Sequence, residues 1–230
     1  MSNNWISYSN FFDIVGLKAV FSNRNTLSNE GVHDRIVFSE LIGLNPKNLV
    51  IPKQTHSSNY FVCESPGNYP DTDAVISINK HVVLSMQVAD CIPIFIVDIE
   101  KKYTALIHAG WRGLVTNIIQ KTIKQMFQHG CETKNIKIVL GPSIKSCCFE
   151  VSDDVIHQFS QSIITRNRNK KGKYWVDLLA LAKKQLSELS INDANIYVDQ
   201  NCTSCEIDHF HSYRRDGMKA GRMLALIGWV

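Results

Sequence analysis

Four short, strongly apolar runs follow one another near the middle of the chain, and they constrain its fold more than any other feature. They span residues 74–78, 82–86, 92–97 and 104–107. Their length and their content of Val, Ile and Leu are typical of buried or half-buried strands. The longest apolar region, 82–97, contains Gln87, Asp90 and Pro93, whereas a membrane span needs about 20 mostly apolar residues. These runs therefore predict a sheet, and they predict no membrane segment.

The rest of the chain changes irregularly between strand-like and helix-like segments. Residues 136–140, 195–198 and 223–229 have the same strand-like composition as the central runs. An apolar stripe of helical period covers residues 114–128, and Gly130 is placed to end that helix. We therefore expect strands and helices to be interleaved along the whole chain.

Two further helices are predicted from the residues that begin them. Ser152 precedes two aspartates, a pattern that favours a helix start, and another helical segment runs from Asp177 to residue 189. Because strands and helices interleave without strict β-α-β alternation, we expect an α+β fold with mixed β-sheets flanked by helices. We expect residues 1–230 to form a single layered domain, since one domain routinely reaches this length.

Charge and cysteine content indicate the class of partner and the compartment. The formal net charge is only +4, so we expect no nucleic-acid partner, which would need a clustered basic face. The most basic stretch, residues 166–173, is predicted to be a solvated loop between two helices. An N-terminus without a basic stretch followed by an apolar run, together with seven cysteines in a chain this long, predicts a reducing, cytoplasmic location.

Three separated side chains form a candidate metal site. His56 is expected where a strand meets a loop, Cys91 follows Asp90 inside an apolar run, and His108 precedes a glycine-containing turn. An acid and a thiol in so hydrophobic a run are unfavourable unless they are paired or ligated. Two histidines and a cysteine complete the protein ligands of a catalytic zinc, which keeps a fourth position for water. The long spacings also allow hydrogen-bonded structural histidines and a cysteine that only packs.

Four other cysteines form a second group, made of a vicinal pair and a C-x-x-C pair. They are Cys147, Cys148, Cys202 and Cys205. A zinc clip, a redox site and simple packing in strand-to-loop connections are all compatible with this pattern. Packing is the favoured interpretation, because adjacent side chains of an extended segment point in opposite directions.

Two adjacent arginines, Arg214 and Arg215, lie close to Asp216 and Gly217. Guanidinium groups in such a position can hold a phosphate or a carboxylate, because their paired N–H groups match its oxygens. A surface turn held by ion pairs is the other interpretation of the same residues.

Eight segments in a fixed order resemble those of one protein family. They are QTH (54–56), DTDAVIS (71–77), ADCIPIFIVD (89–98), HAGWRG (108–113), LGPSIKSCCFEV (140–151), CTSC (202–205), FHSYRRDG (210–217) and AGRMLALIGW (220–229). This series resembles the YfiH/YlmD family, also described as laccase-domain or multicopper polyphenol oxidoreductase proteins. The resemblance is strong over residues 50–230. It departs from the family pattern at His211, where an aromatic residue is more common, and at Ser57 and Ser58, where a glycine is common.

The resemblance implies a layered α+β fold similar to that of deamidating toxin domains, and a zinc site made by His56, Cys91 and His108. It implies an enzyme that phosphorolyses adenosine, inosine, guanosine and 5′-methylthioadenosine to the base and (methylthio)ribose 1-phosphate. It also implies hydrolytic deamination of adenosine to inosine. Copper is less expected than zinc, because eight histidines in the chain are too few for a multicopper oxidase.

Roles for individual residues follow from the chemistry that these implied reactions require and from the position of each residue in the sequence. The implied catalytic residues are Asp90, Cys91, Arg112 and Glu150. The implied substrate- and phosphate-binding residues are Gln54, Arg112, Arg214 and Arg215. Asp90 and Glu150 are alternative proton shuttles, and Asp90, beside Cys91, is also a candidate for orienting the ligand. Arg112, beside His108 and flanked by glycines, is the first candidate for holding phosphate.

Two other functions remain compatible with the residues. Cys91 as a nucleophile with His108 as its base would make a cysteine hydrolase that edits a peptidoglycan precursor. A non-catalytic binding module would hold a structural metal by four protein ligands, the fourth from Cys147 or Cys148. We expect a monomer, and neither the preferred nucleoside nor the biological role follows from the sequence.

Overall fold

The structure is a computed structural model that describes residues 5–27, 31–167 and 172–230. The strands are β1 Trp5–Ser7, β2 Leu17–Ser22, β3 Leu49–Pro52, β4 Tyr60–Val62, β5 Gly67–Tyr69, β6 Ala74–Ser77, β7 Val83–Val88, β8 Ile92–Asp98, β9 Thr104–Ala109, β10 Ile136–Leu140, β11 Glu150–Ser152, β12 Ile164–Asn167, β13 Lys173–Val176, β14 Ile196–Val198 and β15 Met223–Trp229. The helices are α1 Ser9–Phe12, α2 Val32–Leu41, α3 Trp111–Val115, α4 Ile118–Gln128, α5 Asp153–Ile156, α6 Leu178–Glu188 and α7 Tyr213–Asp216. In this part of the chain, none of the helices has the length and hydropathy to cross a membrane.

The described strands form two six-stranded sheets and one three-stranded sheet. The first has the order β1-β2-β15-β7-β3-β5, and the second has the order β14-β10-β8-β9-β6-β4. Most neighbours are antiparallel, but β3 is parallel to β5 and β7, β4 to β6, and β10 to β14. The third sheet, β11-β13-β12, is antiparallel. The predicted α+β fold with mixed sheets is therefore confirmed.

The two large sheets pack face to face, and helices cover their outer faces. Leu84 of β7 and Phe95 of β8 belong to the apolar core between the sheets. On the other face of the second sheet, Ile107 packs in a core shared with Ile119 of α4 and with residues of α6. Phe38 of α2 belongs to a smaller core on the outer face of the first sheet. Central strands are thus buried on both faces, which explains why they are continuously apolar in sequence.

The predicted helices are present, with two corrections. The segment 114–128 is not one helix, because Asn117 adopts a left-handed conformation (φ +63°) that separates α3 from α4; asparagine tolerates this conformation better than most residues. Helix α4 ends as expected before Gly130, whose φ is +81°. The helix after Ser152 is a single turn, and the serine side chain does not cap its backbone.

The third predicted helix is confirmed as α6, since the side chain of Asp177 accepts a 2.9 Å hydrogen bond from the N–H of Ala180. The basic stretch 166–173 is not simply a loop between helices. Its described ends belong to the paired strands β12 and β13, and 168–171 lie outside the described residues. Pairing between two neighbouring strands overrides the local preference of charged residues for a loop.

Strand register brings the chemistry-bearing residues to one edge of the second sheet. In the antiparallel pair β8–β9, Ile92 lies opposite Ala109 and Pro93 lies opposite His108. Cys91, just before β8, is therefore held beside the end of β9. Strand β6 pairs with the other side of β9, and the N–H of His108 donates to the carbonyl of Asp73 at 2.8 Å. Register alone thus places Cys91, His108 and Asp73 side by side.

Candidate active site and metal centre

The three predicted ligands His56, Cys91 and His108 come together. Their ligand atoms lie within 4.8 Å of one another, and the two imidazole rings are 4.8 Å apart between centroids in an edge-to-face arrangement. His108 is buried in β9, Cys91 is partly exposed, and His56 is exposed in the loop after β3. His56 adopts a positive φ of 61°, so its backbone is held in a strained conformation. The cluster is therefore buried on the side of His108 and accessible to solvent on the side of His56.

A fully buried carboxylate, Asp73, supports two of these ligands, although no site role was predicted for it from the sequence. Its Oδ1 accepts from Nδ1 of His108 at 2.7 Å and from the N–H of His56 at 3.1 Å. Its Oδ2 accepts from the N–H and the hydroxyl of Ser57, both at 2.7 Å. This bond at Nδ1 leaves Nε2 of His108 free for a ligand, an arrangement common among metal-binding histidines. The available signal in the sequence was an aspartate directly before a buried strand, since Asp73 precedes β6.

The ionisation of the cluster follows from its burial and its contacts. Burial raises the pKa of Asp73, but hydrogen bonds from His108 and Ser57 more than offset this and hold it well below its usual range. Burial also opposes the thiolate of Cys91, yet the charge of His108 and hydrogen bonds from both histidines lower the Cys91 pKa to about 6. Burial lowers the pKa of His108, whereas the Cys91 charge and Asp73 raise it to about 9.

The donor set and the space around it fit a metal ion. Two imidazoles and one thiolate are the ligands of a catalytic zinc that leaves one position open. Gly110 provides the room, since a Cβ atom there would lie 3.0 Å from Sγ of Cys91 and 3.2 Å from Cδ2 of His56. The three side chains can therefore hold a metal.

Replacing Gly110 by alanine is expected to weaken metal binding about 10-fold or more while leaving the protein folded. The added methyl group would displace Cys91 or His56 by a few tenths of an ångström, which disturbs the ligand geometry, and the φ of −75° at this residue suits alanine without strain. Metal affinity is measured by competition with a chromophoric chelator. Gly31→Ala serves as a control outside the site, because a Cβ there meets nothing within 4 Å, although its φ of +67° carries strain. Unchanged affinity in the Gly110 variant would contradict the proposed crowding.

The cluster opens into a cleft of about 860 Å³. It is lined by Pro52, Lys53, Gln54, His56, Gln87, Ala89, Asp90, Cys91, His108, Trp111, Arg112, Ile144, Phe149, Tyr213, Arg214 and Arg222. Pockets that take drug-sized ligands have volumes of about 300–1,000 Å³. Four side chains of the lining are cationic and three are aromatic, so the cleft suits an anionic or phosphate-bearing partner together with a flat ring.

Two of the predicted phosphate-binding arginines face this cleft. The exposed guanidinium of Arg112 stacks on the ring of Trp111 at 4.5 Å. Arg214 stacks on Phe149 at 5.3 Å and donates to the carbonyl of Cys148 at 3.0 Å. Arg222, for which no role was predicted from the sequence, also lines the cleft. Arg222 belongs to the AGRMLALIGW segment and directly precedes the last strand, and this position was the available sequence signal for a site residue.

Asp90 lies in the lining with both carboxylate oxygens engaged. Oδ1 accepts from the hydroxyl of Thr203 at 2.6 Å, and Oδ2 accepts from the hydroxyl of Ser212 at 3.0 Å and the N–H of Arg214 at 2.7 Å. Its φ of +86° is unusual for a residue other than glycine. Asp90 thus ties together three chain segments around Cys91, a geometry that suits orientation of the ligand.

Three other predicted site residues make structural contacts. Glu150 lies outside the cleft lining of the described chain and forms an ion pair with Lys173 at 2.7 Å. Arg215 also lies outside that lining, and its guanidinium binds Asp216 and the carbonyls of the preceding loop. Gln54 lines the cleft, but its amide exchanges hydrogen bonds of 2.7 and 2.8 Å with the backbone of Gln87. The roles assigned to these three residues stay predictions. They were assigned from sequence motifs, and neighbouring residues of one motif can face different sides of the fold.

The expectation that Cys147 and Cys148 point apart is wrong. They lie in a turn rather than an extended segment, and their sulfurs are 3.7 Å apart. With Cys202 and Cys205 they form a cluster separate from the one at Cys91. The geometry therefore does not support Cys147 or Cys148 as a fourth ligand of a metal held by His56, Cys91 and His108.

Comparison with known proteins shows the family of the chain. Residues 24–230 match the family described as "Multi-copper polyphenol oxidoreductase laccase". The chain is similar to Adenosine deaminase RL5 from an unknown prokaryotic organism, with 33% identity over 82% of this chain and 78% of that protein. It is also similar to Purine nucleoside phosphorylase from Staphylococcus epidermidis, with 32% identity over 85% of this chain and 78% of that protein.

Among solved structures, the fold is similar to that of YlmD from Geobacillus stearothermophilus. The two share 26% identity, a TM-score of 0.87, and coverage of 100% of this chain and 97% of that one. The match of residues 24–230 includes every ligand of the cluster and every cationic side chain of the cleft. On these grounds the chain belongs to the laccase-domain family, the one that contains the YfiH and YlmD proteins.

Proposed function

We propose that this protein is a zinc-dependent purine nucleoside enzyme. It would phosphorolyse adenosine, inosine, guanosine and 5′-methylthioadenosine, and would deaminate adenosine to inosine. The observation that carries the proposal is the His56, Cys91 and His108 cluster opening into a cleft lined by cationic and aromatic side chains. The names of relatives about 32% identical in sequence, one a deaminase and one a phosphorylase, support both reactions.

The chain's own residues supply the site for the metal. His56, Cys91 and His108 would hold the ion, and Asp73 would fix His108 through its Nδ1 so that Nε2 faces the ligand position. When bound, zinc lowers the pKa of a coordinated water toward about 7 and so provides hydroxide at neutral pH. In deamination, water adds to C6 of the purine and ammonia leaves, which requires a proton to move from the water to the leaving group.

Asp90 is best suited to orientation in this reaction. Its carboxylate is filled by hydrogen bonds from Thr203, Ser212 and Arg214, so it holds the turn that carries Cys91. Glu150, the alternative shuttle, is paired with Lys173. We therefore propose that Asp90 positions Cys91. Neither Asp90 nor Glu150 is assigned the proton transfer.

Phosphorolysis places different demands on the cleft. Phosphate must be held below C1′ of the ribose while positive charge develops on the sugar. Arg112 and Arg214 line the cleft and present guanidinium groups, which match phosphate oxygens in charge and geometry. Trp111, which also lines the cleft, is a surface on which a purine can stack.

Replacing Arg112 by alanine is expected to raise the KM for phosphate and to spare deamination. A hydrogen bond to a charged group contributes about 1.5–3 kcal/mol, which corresponds to roughly 10- to 100-fold in KM. Initial rates are measured over a range of phosphate concentrations, with inosine for phosphorolysis and adenosine for deamination. Lys183→Ala on the exposed face of α6 removes a charge elsewhere and controls for net charge. Equal losses in both reactions would show that Arg112 does not serve phosphate specifically.

A product assay on protein of known metal content tests the proposed function directly. Adenosine is supplied with and without phosphate, and the products are separated and identified by mass. Adenine with ribose 1-phosphate, formed only when phosphate is present, is the result expected of the phosphorylase. Inosine in both conditions is expected of the deaminase. No turnover of adenosine, inosine or methylthioadenosine by zinc-loaded protein would overturn the proposal.

One observation favours a second function. Cys91, His108 and Asp73 form a chain in which the thiol contacts the imidazole and the imidazole contacts the carboxylate. This is the arrangement of a cysteine hydrolase, in which the thiolate attacks and the histidine is its base. An amide or ester bond of a cell-wall precursor would be the target. Zinc bound at His56, Cys91 and His108 blocks that chemistry, so activity that rises when metal is removed would favour the hydrolase.

A further inference from the structure

We propose that Cys147, Cys148, Cys202 and Cys205 form a second zinc site with four thiolate ligands. All four sulfurs lie within 4.8 Å of one another, in a cluster distinct from that of His56, Cys91 and His108. The inference concerns a different part of the chain from the proposed catalytic function and does not depend on it. The site would be structural, because four protein ligands leave no open position for water.

The distances between the sulfurs match those of a tetrahedral zinc site. Sγ of Cys147 lies 3.7 Å from the sulfurs of Cys148, Cys202 and Cys205, and Cys148 lies 3.3 Å from Cys205. Four thiolates at about 2.3 Å from zinc are roughly 3.8 Å from one another in tetrahedral geometry. A disulfide requires two sulfurs at about 2.05 Å, and all four cysteines are free. The spacing therefore fits a shared ion better than a pair of disulfides.

Two tight turns aim the sulfurs at a common point. In the first, the N–H groups of Cys148 and Phe149 both donate to the carbonyl of Lys145 at 2.9 Å. In the second, the N–H groups of Cys205 and Glu206 donate to the carbonyl of Cys202 at 3.1 and 3.0 Å. A C-x-x-C turn of this kind places both of its sulfurs on one side, as zinc ligands require.

Hydrogen-bond donors and a cation surround the sulfur of Cys202. The N–H groups of Lys145, Ser204 and Cys205 hydrogen-bond its sulfur. The ammonium group of Lys145 lies near enough to interact with the charges of Cys147 and Cys202. A zinc ion with four thiolates carries a net charge of about −2, and such donors and a cation stabilise that charge.

The position of the cluster indicates what the ion would do. The first turn leads into Phe149, which lines the cleft, and the carbonyl of Cys148 accepts from Arg214. The second turn carries Thr203, which binds Asp90 beside Cys91. An ion shared by both turns would join these two walls of the cleft. Zinc in this place would therefore position residues of the cleft without contacting the substrate.

Metal counting tests the proposal on the full chain, reconstituted with zinc alone under reducing conditions and freed of excess metal. We expect two zinc ions per wild-type chain, one in Cys147→Ser with Cys205→Ser, and one in His56→Ala. Cys131→Ala is the matched control, because this buried cysteine belongs to neither cluster, and it should retain two. Two ions in the double serine variant, or one in the wild type and none in His56→Ala, would overturn the proposal.

Cobalt gives a second test that does not depend on any cluster variant folding. In the Cys91→Ala protein the first site has no thiolate, so thiolate-to-cobalt charge-transfer absorption can arise only from the four-cysteine cluster. We expect strong absorption of this kind, with visible bands typical of tetrahedral cobalt. Its absence, or mass-spectrometric detection of disulfides among these four cysteines in freshly reduced and desalted protein, would refute the site. Failure of the nucleoside assay would leave both measurements unaffected.

Discussion

Replacing Cys91 by alanine is expected to abolish both proposed purine activities and to remove the zinc ion proposed for the His56, Cys91 and His108 site. Cys91 is the one thiol of the described cluster with His56 and His108, and its sulfur accepts hydrogen bonds from both imidazoles. Loss of a residue that only supports a ligand typically reduces metal affinity or activity by about 10- to 100-fold. Loss of a ligand itself should exceed about 100-fold. Zinc content and the rates of adenosine deamination and inosine phosphorolysis measure the effect.

Two comparisons make this result specific. Cys131→Ala removes another buried thiol, and it should keep both the metal and the rates of the wild type. Cys91→Ser keeps a smaller oxygen donor and should also lose the metal, because serine is a poor zinc ligand at neutral pH. Full zinc occupancy of this site with undiminished turnover in Cys91→Ala would refute the assignment of the site.

Asp73→Asn is expected to have the second largest effect, on both activity and stability. The carboxylate is fully buried and accepts from His108, His56 and Ser57. An asparagine side chain would present an NH₂ group to some of these donors, and a buried donor without a partner costs about 1–3 kcal/mol. With His108 no longer held, activity and zinc affinity should fall by about 10- to 100-fold. Chelator competition and urea unfolding measure these two losses.

The pH dependence of unfolding gives a sharper version of this prediction. The pKa of Asp73 is depressed in the folded protein, so its stabilising contribution is present above the unfolded pKa of about 3.9. It is lost as the pH falls through the lower folded value. The stability difference between wild type and Asp73→Asn should therefore be largest above about pH 4 and shrink in stronger acid. Glu40→Gln changes an exposed carboxylate of α2, outside the site, and should show neither effect.

Local sequence was sufficient for the central strands and for α6, because their patterns depend on near neighbours, but it did not predict α2 or short elements such as β4 and α7. Strands such as β8 are buried on both faces, so each is a continuous apolar run that can be identified without a partner. Helix α6 has its own capping aspartate, Asp177. The break at Asn117 was missed because a left-handed residue interrupts a helix without changing the apolar stripe on either side.

The sequence by itself determined the central strands, the α+β class and the donor types His56, Cys91 and His108, because residue type and short-range periodicity carry that information. Only the tertiary structure decided which residues share a site. Strand register placed Asp73 beside His108, and two turns gathered Cys147 and Cys205. These contacts join residues far apart in the chain, so they depend on how the sheets pair and pack, a choice that no local pattern contains.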